Sequence, residues 1–271
     1  MPHLDVDEAR LFYQDTGGSG PAVIFSHGLL MDHRMFDAQV AALRGTYRCI
    51  AYDHRGQGQS QSPPMRWYDM ETCYRDAVRL IETLGAAPCH FVGLSMGGFV
   101  GLRIALRRPE LLRSLSLLES SADPEPPENV PKYRMLNLVA KLLSIRLVAG
   151  RVMPILFGKT FLSDPARAAD RALWRQRVME NGRDISPSVL GVIFRDGLAE
   201  QLLSITTPTL IGVGDEDVAT VPEKSRRMHE RISGSRLVTI PGAGHSSSVE
   251  QPDFVSRMLT SFFSDVPGAD A

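Results

Sequence analysis

The stretch that most constrains the fold of this chain is residues 89–100, where a short apolar run ends in the pattern Gly-x-Ser-x-Gly. A helical pattern follows at once and meets no breaker until Pro109. The stretch therefore predicts a strand, a sharp turn and a helix, with Ser95 at the turn. We expect glycine at positions 93 and 97 because side chains there would crowd a turn tight enough to expose the serine hydroxyl.

The predicted helix begins near Met96, so its free backbone N–H groups and the positive end of its dipole face whatever Ser95 attacks. The five-residue pattern is weak by itself, because glycine and serine are both common residues. The strand-turn-helix context strengthens it. Ser95 is therefore predicted to be a nucleophile.

Strand and helix patterns alternate on both sides of this stretch. Residues 4–6 and 9–14 predict a hairpin, and strands are predicted at 22–25, 47–52, 112–118, 209–213 and 236–240. Helical spacing occupies most of the intervals between them. Apolar strands that alternate with helices predict a mostly parallel, doubly wound α/β sheet with helices on both faces.

The alternation is interrupted between about residues 121 and 201, where proline-rich punctuation precedes helical patterns without a convincing strand. This interval is too long for a loop and too short for an independent domain. We predict that residues 1–120 and 202–271 form the core. Residues 121–201 would form a helical lid, inserted after the sixth strand and lying over the strand ends.

Composition argues against several classes of protein. A net charge of −1 over 271 residues gives no field that favours nucleic acid or an anionic membrane. No apolar run reaches the ~18 residues of a membrane-spanning helix, and the N-terminus lacks the features of a signal peptide. Three cysteines give neither a disulfide framework nor metal-ligand spacing. We expect a soluble, reduced, cytoplasmic protein and leave its oligomeric state open.

Polar side chains cluster where the predicted strands end, which is where an open parallel sheet binds its ligands. A serine hydroxyl needs a base within hydrogen-bond reach, and that base needs a third group to orient it. Among seven histidines, His245 alone stands in a glycine-rich turn just after the last strand. His245 is therefore the predicted base, while structural or solvent-facing roles are expected for the other histidines.

The orienting acid has several candidates in the sequence. Asp217 follows a predicted strand, but Asp215 and Glu216 stand beside it, and Glu119 ends the preceding strand. A carboxylate at a strand end can also be a turn residue or a helix N-cap. We favour Asp217, which gives the chain order Ser, Asp, His.

With these segments in view, the chain resembles the serine-nucleophile branch of the α/β-hydrolase superfamily over nearly its whole length. The resemblance implies the α/β-hydrolase fold, an acid at the Asp217 position, and an oxyanion hole formed by the backbone N–H groups of Leu29 and Met96. The matching pieces are Ser26-His27-Gly28-Leu29, Asp53-His54-Arg55-Gly56-Gln57-Gly58-Gln59-Ser60, Gly93-Leu94-Ser95-Met96-Gly97-Gly98, Gly214-Asp215-Glu216-Asp217 and Gly242-Ala243-Gly244-His245.

The closing run from His245 to Pro252 looks most like 3-oxoadipate enol-lactonases and the small carboxylesterases near them. Serine at position 95 disfavours the related enzymes that use an aspartate nucleophile. We therefore expect a serine hydrolase that cleaves a small-molecule carboxylic ester or lactone through an acyl-enzyme, without a cofactor. Carbon–carbon bond hydrolysis or cofactor-free peracid formation by the same triad is the alternative. A non-catalytic, ligand-binding member of the fold is the third possibility.

Three further patterns carry less information. Gly56-x-Gly58 lacks the third glycine of a dinucleotide fingerprint. The acidic run at 215–217 lacks calcium-loop spacing, so no metal is inferred. Between Pro131 and Ser163 the chain carries no Asp or Glu but six cations among apolar residues. This segment is either a positively biased entrance for an anionic or lipid-interface substrate, or, more simply, a packed helix with solvated charges. The cations are Lys132, Arg134, Lys141, Arg146, Arg151 and Lys159.

Overall fold

A computed structural model describes residues 2–266 of the chain, which are built around one eight-stranded sheet. The strand order is β1-β2-β4-β3-β5-β6-β7-β8; β2 pairs antiparallel with β1 and with β4, and the other neighbours are parallel. The predicted mostly parallel α/β sheet is therefore confirmed. The strands are β1 (His3–Val6), β2 (Ala9–Asp15), β3 (Ala22–Ser26), β4 (Arg48–Tyr52), β5 (Cys89–Leu94), β6 (Leu112–Leu118), β7 (Thr209–Gly214) and β8 (Arg236–Ile240).

Helices cover both faces of this sheet, because successive strand residues point in opposite directions. Ile24 and Phe91 belong to the hydrophobic cluster on one face, while Val23, Phe25 and Val92 belong to the cluster on the other. The helices are α1 (Asp37–Leu43), α2 (Met70–Thr83), α3 (Met96–Arg107), α4 (Val130–Leu142), α5 (Ala149–Leu156), α6 (Lys159–Ser163), α7 (Ala168–Glu180), α8 (Ser186–Ile193), α9 (Pro222–Arg231), α10 (Ser247–Glu250) and α11 (Pro252–Ser264).

Two helix ends show how closely the sequence signals match the structure. α3 begins at Met96, as the turn at Ser95 requires. α2 ends just before Gly85, whose φ of +57° is the left-handed conformation that glycine adopts after a helix. The short helix α10, which follows His245, was not predicted, because four residues are too few to show helical periodicity.

Between β6 and β7 the described chain contains five helices, α4 to α8, and no strand. We call this segment, residues 130–193, the insert. Val152 and Trp174 of the insert share one hydrophobic cluster with Phe25 and Leu118 of the sheet. Its core is thus continuous with that of the sheet, as expected for a segment too short to fold alone.

Within residues 2–266, no helix combines the length and the apolar character that crossing a membrane requires. The three cysteines, Cys49, Cys73 and Cys89, are all buried free thiols. Burial raises the pKa of each thiol far above its ordinary value, so these side chains act as small core residues.

Candidate functional site

Ser95 lies at the turn between β5 and α3, with φ 52° and ψ −109°. A non-glycine residue in this region of backbone space is strained, at a cost of about 1–3 kcal/mol. The flanking glycines permit the turn: a Cβ at Gly93 would lie 2.3 Å from the carbonyl oxygen of Gly97, and one at Gly97 would lie 2.0 Å from that of Ser26. The predicted crowding at both positions is thus confirmed.

The loop after β3 passes directly beside Ser95. A Cβ at Gly28 would lie 3.2 Å from Cδ2 of Leu94 and 3.6 Å from the Cβ of Ser95, so the backbone of this loop packs against both residues. The next turn is held by Gln57, whose Oε1 accepts the backbone N–H of Leu30 at 2.8 Å. Within residues 2–266 the amide N–H groups of Leu29 and Met96 donate to no protein acceptor. Both predicted oxyanion-hole donors are therefore available.

His245 and Asp217 meet where β7 and β8 end. The ring Nδ1 of His245 lies 3.0 Å from Oδ2 and 3.1 Å from Oδ1 of Asp217. Thr220 donates its hydroxyl to Asp217 Oδ2 at 2.7 Å, and the amides of Ala219 and Thr220 donate to Oδ1. Nδ1 is thereby committed to the acid, which leaves Nε2 as the second ring nitrogen for a reaction partner.

The electrostatics of Asp217 favour its charged form. Burial alone would raise the pKa of the Asp217 carboxyl, but the His245 ring and the donors from Thr220 and Ala219 hold that pKa below its ordinary value. A buried carboxylate with four donors is well suited to orient an imidazole and to stabilise its cation.

The competing carboxylates bind partners other than the His245 ring. Glu119 is fully buried and accepts the amide of Gly214 at 3.0 Å and the hydroxyl of Ser247 at 2.8 Å. Burial, and then repulsion from Asp217, raise the pKa of Glu119 well above its ordinary value. Asp215 accepts the Gly242 amide and Glu216 accepts Thr160, so neither of these two contacts the His245 ring.

The loop that carries His245 is anchored by a carboxylate that sequence reasoning missed. Glu250 accepts the amide of Gly244 at 3.0 Å and that of Ser246 at 3.0 Å, on either side of His245. It also accepts the amide of Gly158 in the insert at 2.8 Å. No local pattern marks Glu250. Gly244 and Ser246 are near it in the chain, but Gly158 is 92 residues away and meets it only in the folded protein.

Four other histidines are buried and have structural partners. His33 bonds to Asp53 at 2.8 Å, and His27 Nε2 accepts the backbone N–H of His54 at 3.0 Å. His54 also bonds to the Ser26 hydroxyl, and His90 bonds to that of Ser114. Burial lowers the pKa of His27, His54 and His90, so these rings are neutral braces.

A cavity of about 150 Å³ lies between the sheet edge and the insert. Ser95 and His245 line it from the edge, and most of its remaining wall is aliphatic. Four polar residues of its wall, in the insert or beside it in the chain, were not predicted as site residues: Glu125, Tyr133, Asn137 and Arg195. The six cations between Pro131 and Ser163 are all exposed, and none of them lines this cavity.

The structure describes one cluster whose residue types suit a metal ion: Asp32, His33 and Asp53. Protein groups already occupy these ligands. Asp53 Oδ1 accepts both the backbone N–H of His33 and its ring Nδ1, and the Asp32 carboxylate is paired with Arg34. The cluster therefore works as a hydrogen-bonded brace for the loops after β3 and β4.

The geometry agrees with comparisons to known proteins. Residues 23–258 match the model of the Alpha/beta hydrolase family, and the chain belongs to that family. The protein is accordingly a hydrolase, as the sequence predicted.

Individual relatives are similar over almost their whole length. The protein assigned as the carbamate hydrolase RutD in Pseudomonas savastanoi pv. phaseolicola is 28% identical over 246 residues, 89% of this chain and 93% of that protein. The 3-oxoadipate enol-lactonase 1 of Acinetobacter baylyi is 26% identical over 251 residues, 92% of this chain and 90% of that protein.

Solved structures give the same result. The enol-lactonase of Burkholderia xenovorans LB400 superposes with a TM-score of 0.90 at 27% identity, covering 97% of this chain and 100% of that one. A thermophilic esterase from Thermogutta terrifontis superposes with a TM-score of 0.88 at 29% identity, covering 95% and 94% of the two chains. The predicted resemblance to enol-lactonases and small esterases is confirmed.

Proposed function

We propose that this protein hydrolyses small carboxylic esters or lactones through an acyl-enzyme on Ser95, with His245 as base and Asp217 as the orienting acid. The observation that carries the proposal is the His245 ring held by both oxygens of Asp217, in the same cavity as a serine on a strained turn. The esterases and lactonases among its relatives support the choice of bond.

The mechanism follows from these positions. His245 Nε2 takes the hydroxyl proton as Ser95 Oγ attacks the substrate carbonyl. The amide N–H groups of Leu29 and Met96 donate to the oxyanion, and Asp217 stabilises the imidazolium. The imidazolium then returns the proton to the departing alkoxide, which leaves the acyl group on Ser95. Water repeats the cycle, releasing the acid and restoring the hydroxyl.

The cavity limits the size of the acyl group. An apolar cavity of about 150 Å³ holds a molecule the size of benzene. We therefore expect kcat/KM to be highest for short acyl chains or a single lactone ring, and to fall once the chain exceeds about six heavy atoms. We further propose that residues 121–201 act as the lid of this cavity, and that the protein works in the cytoplasm.

Covalent labelling tests the proposed nucleophile. We expect a fluorophosphonate to add one mass increment to the intact protein, on Ser95, and Ser95→Ala to remove both the label and the esterase activity. Turnover of p-nitrophenyl acetate, an enol-lactone and a ring-cleavage dienoate would then separate ester, lactone and carbon–carbon hydrolysis. An unlabelled protein, or full activity in Ser95→Ala, contradicts the proposal.

A further inference from the structure

Two residues that flank the insert in the chain, Glu125 and Arg195, form a charged pair in the largely aliphatic wall of the cavity. Arg195, which is 5% exposed, donates through Nη1 to Glu125 Oε2 at 2.9 Å and to the carbonyl oxygen of Val192 at 2.8 Å. Its Nε donates to the carbonyl oxygen of Asp123 at 3.2 Å. Among the described residues Nη2 donates to none, so one amino group of this cavity-lining guanidinium is uncommitted.

The position of Arg195 relative to Ser95 is fixed by packing. Its guanidinium lies 4.4 Å from the centroid of the Phe99 ring. Phe99 is one turn into α3, and its amide donates to the carbonyl oxygen of Ser95 at 3.1 Å. Ser95 and Arg195 line the same cavity, so a substrate that extends from Ser95 along the cavity wall reaches this hydrogen-bond donor.

Asn137 supplies the complementary group. This side chain lines the same cavity, is 8% exposed, and donates through Nδ2 to the Ser186 hydroxyl at 3.0 Å. Its Oδ1 is buried and has no hydrogen-bond partner among the described residues. A buried acceptor without a donor destabilises the free protein, and a ligand that supplies the donor recovers that loss on binding.

We propose that Arg195 and Asn137 form a subsite for an uncharged group that both accepts and donates a hydrogen bond, a carboxamide on the acyl part of the substrate. Its carbonyl oxygen would accept from Arg195 Nη2, and its N–H would donate to Asn137 Oδ1. This inference rests on the proposed ester hydrolysis at Ser95.

A carboxylate fits this subsite less well. Glu125 already neutralises Arg195, and both of its oxygens are engaged, Oε1 by Asn129 and Oε2 by Arg195. A second carboxylate would meet an ion pair of no net charge and the lone pairs of Asn137 Oδ1. With a single free amino group to pair with, its desolvation in an apolar cavity would be poorly compensated.

Four ethyl esters of nearly equal shape test the assignment: succinamate, 4-oxopentanoate, 4-methylpentanoate and monoethyl succinate. In that order, their terminal groups both accept and donate hydrogen bonds, only accept them, do neither, and carry a negative charge. Followed by pH-stat, with the spontaneous rate subtracted, succinamate should exceed 4-methylpentanoate in kcat/KM by about tenfold, with 4-oxopentanoate between them. Equal values for all four esters, or the highest value for monoethyl succinate, overturn the subsite.

Substitutions separate the two contacts. Asn137→Leu should abolish the advantage of succinamate over 4-oxopentanoate and retain that of 4-oxopentanoate over 4-methylpentanoate. Arg195→Met combined with Glu125→Gln should abolish the advantage of 4-oxopentanoate over 4-methylpentanoate. Both residues are changed together because Glu125 alone would be a buried, unpaired charge. Each readout is a ratio of kcat/KM values in one sample, so loss of folded protein does not change it.

Arg231 and Glu200 offer a control pair of the same residue types, because the Glu200 side chain is 92% exposed and neither residue lines the cavity. Arg231→Met with Glu200→Gln should leave every ratio unchanged. If that pair shifts the ratios as much as Arg195 and Glu125 do, the subsite is wrong. If Ser95→Ala still hydrolyses the esters, the proposed function itself fails; equal ratios with activity that depends on Ser95 reject the subsite alone.

Discussion

The carboxyl edge of the sheet and the insert face each other across one cavity, and their construction differs. At the edge, buried carboxylates such as Asp217 and Glu250 each accept several protein donors, and backbone segments approach so closely that Gly97 has no room for a Cβ. The insert leaves large apolar side chains in solvent. Residues 2–266 contain ten exposed large apolar side chains, and five of them lie within residues 135–147: Met135, Leu138, Leu142, Leu143 and Leu147.

The cations of the insert extend the contrast. Arg134, Lys141, Arg146 and Arg151 are exposed, and none forms an ion pair with another residue in the described range. A segment with few specific contacts tolerates substitution, whereas a segment held by converging hydrogen bonds does not. Changes at the edge should therefore abolish chemistry, while changes on the outer surface of the insert should have small effects.

The largest expected effect compares two buried carboxylates of the edge. Asp217→Asn should lower kcat by about 10⁴-fold, because an amide neither holds the His245 tautomer nor stabilises its cation. Glu119→Gln should stay within about threefold of the parent. Steady-state kinetics on a short-chain ester measure kcat for both variants, and thermal melts show whether both are folded. Equal losses would mean that Glu119 shares the role of the acid.

Alanine substitutions at two glycines, one in each region, compare how much room the two regions leave for a side chain. Gly97→Ala places a Cβ 2.0 Å from the Ser26 carbonyl oxygen, so we expect a loss of about 3 kcal/mol in the free energy of unfolding. Gly150, in α5 of the insert, has no atom within 4 Å of such a Cβ, and Gly150→Ala should gain about 0.5 kcal/mol. Denaturant titrations measure both; a stable Gly97→Ala variant would show that the edge is less rigid than described.

The protonation of Glu119 gives a smaller, pH-dependent effect. Because its pKa is raised by burial and by Asp217, the folded protein keeps this proton at pH values where the unfolded chain has lost it. Stability therefore falls as the pH rises above the unfolded pKa of about 4.3. Glu119→Gln removes this dependence and should melt about 3 °C above the parent at pH 8. The difference should shrink towards pH 5, and a difference that grows there would contradict the assigned direction.

The smallest effect is expected from the cations of the insert. Changing Arg134, Lys141, Arg146 and Arg151 together to Gln should lower kcat/KM for monoethyl succinate by at most about threefold at low salt, and leave a neutral ester unchanged. In 0.5 M NaCl, where the screening length is only about 4 Å, this difference should disappear. A large, salt-resistant loss would instead support the anionic entrance considered from the sequence.

The sequence by itself determined the alternation of strands and helices, the turn at Ser95 and the position of the insert after the sixth strand. These features depend on local periodicity and on glycine placement, which a single chain displays directly. It also restricted the acid to a few carboxylates, but Asp217 and Glu119 each follow a strand, and local pattern does not separate them.

Tertiary structure decided what no local pattern carries. The pairing of His245 with Asp217, the contact of Glu250 with Gly158, and the placement of Arg195 and Asn137 in the wall of one cavity all join residues far apart in the chain. Such contacts depend on the packing of whole elements, and their energies arise from burial that exists only once the core has formed. The sequence therefore predicted which chemistry to look for, and the folded chain determined which side chains are placed to perform it.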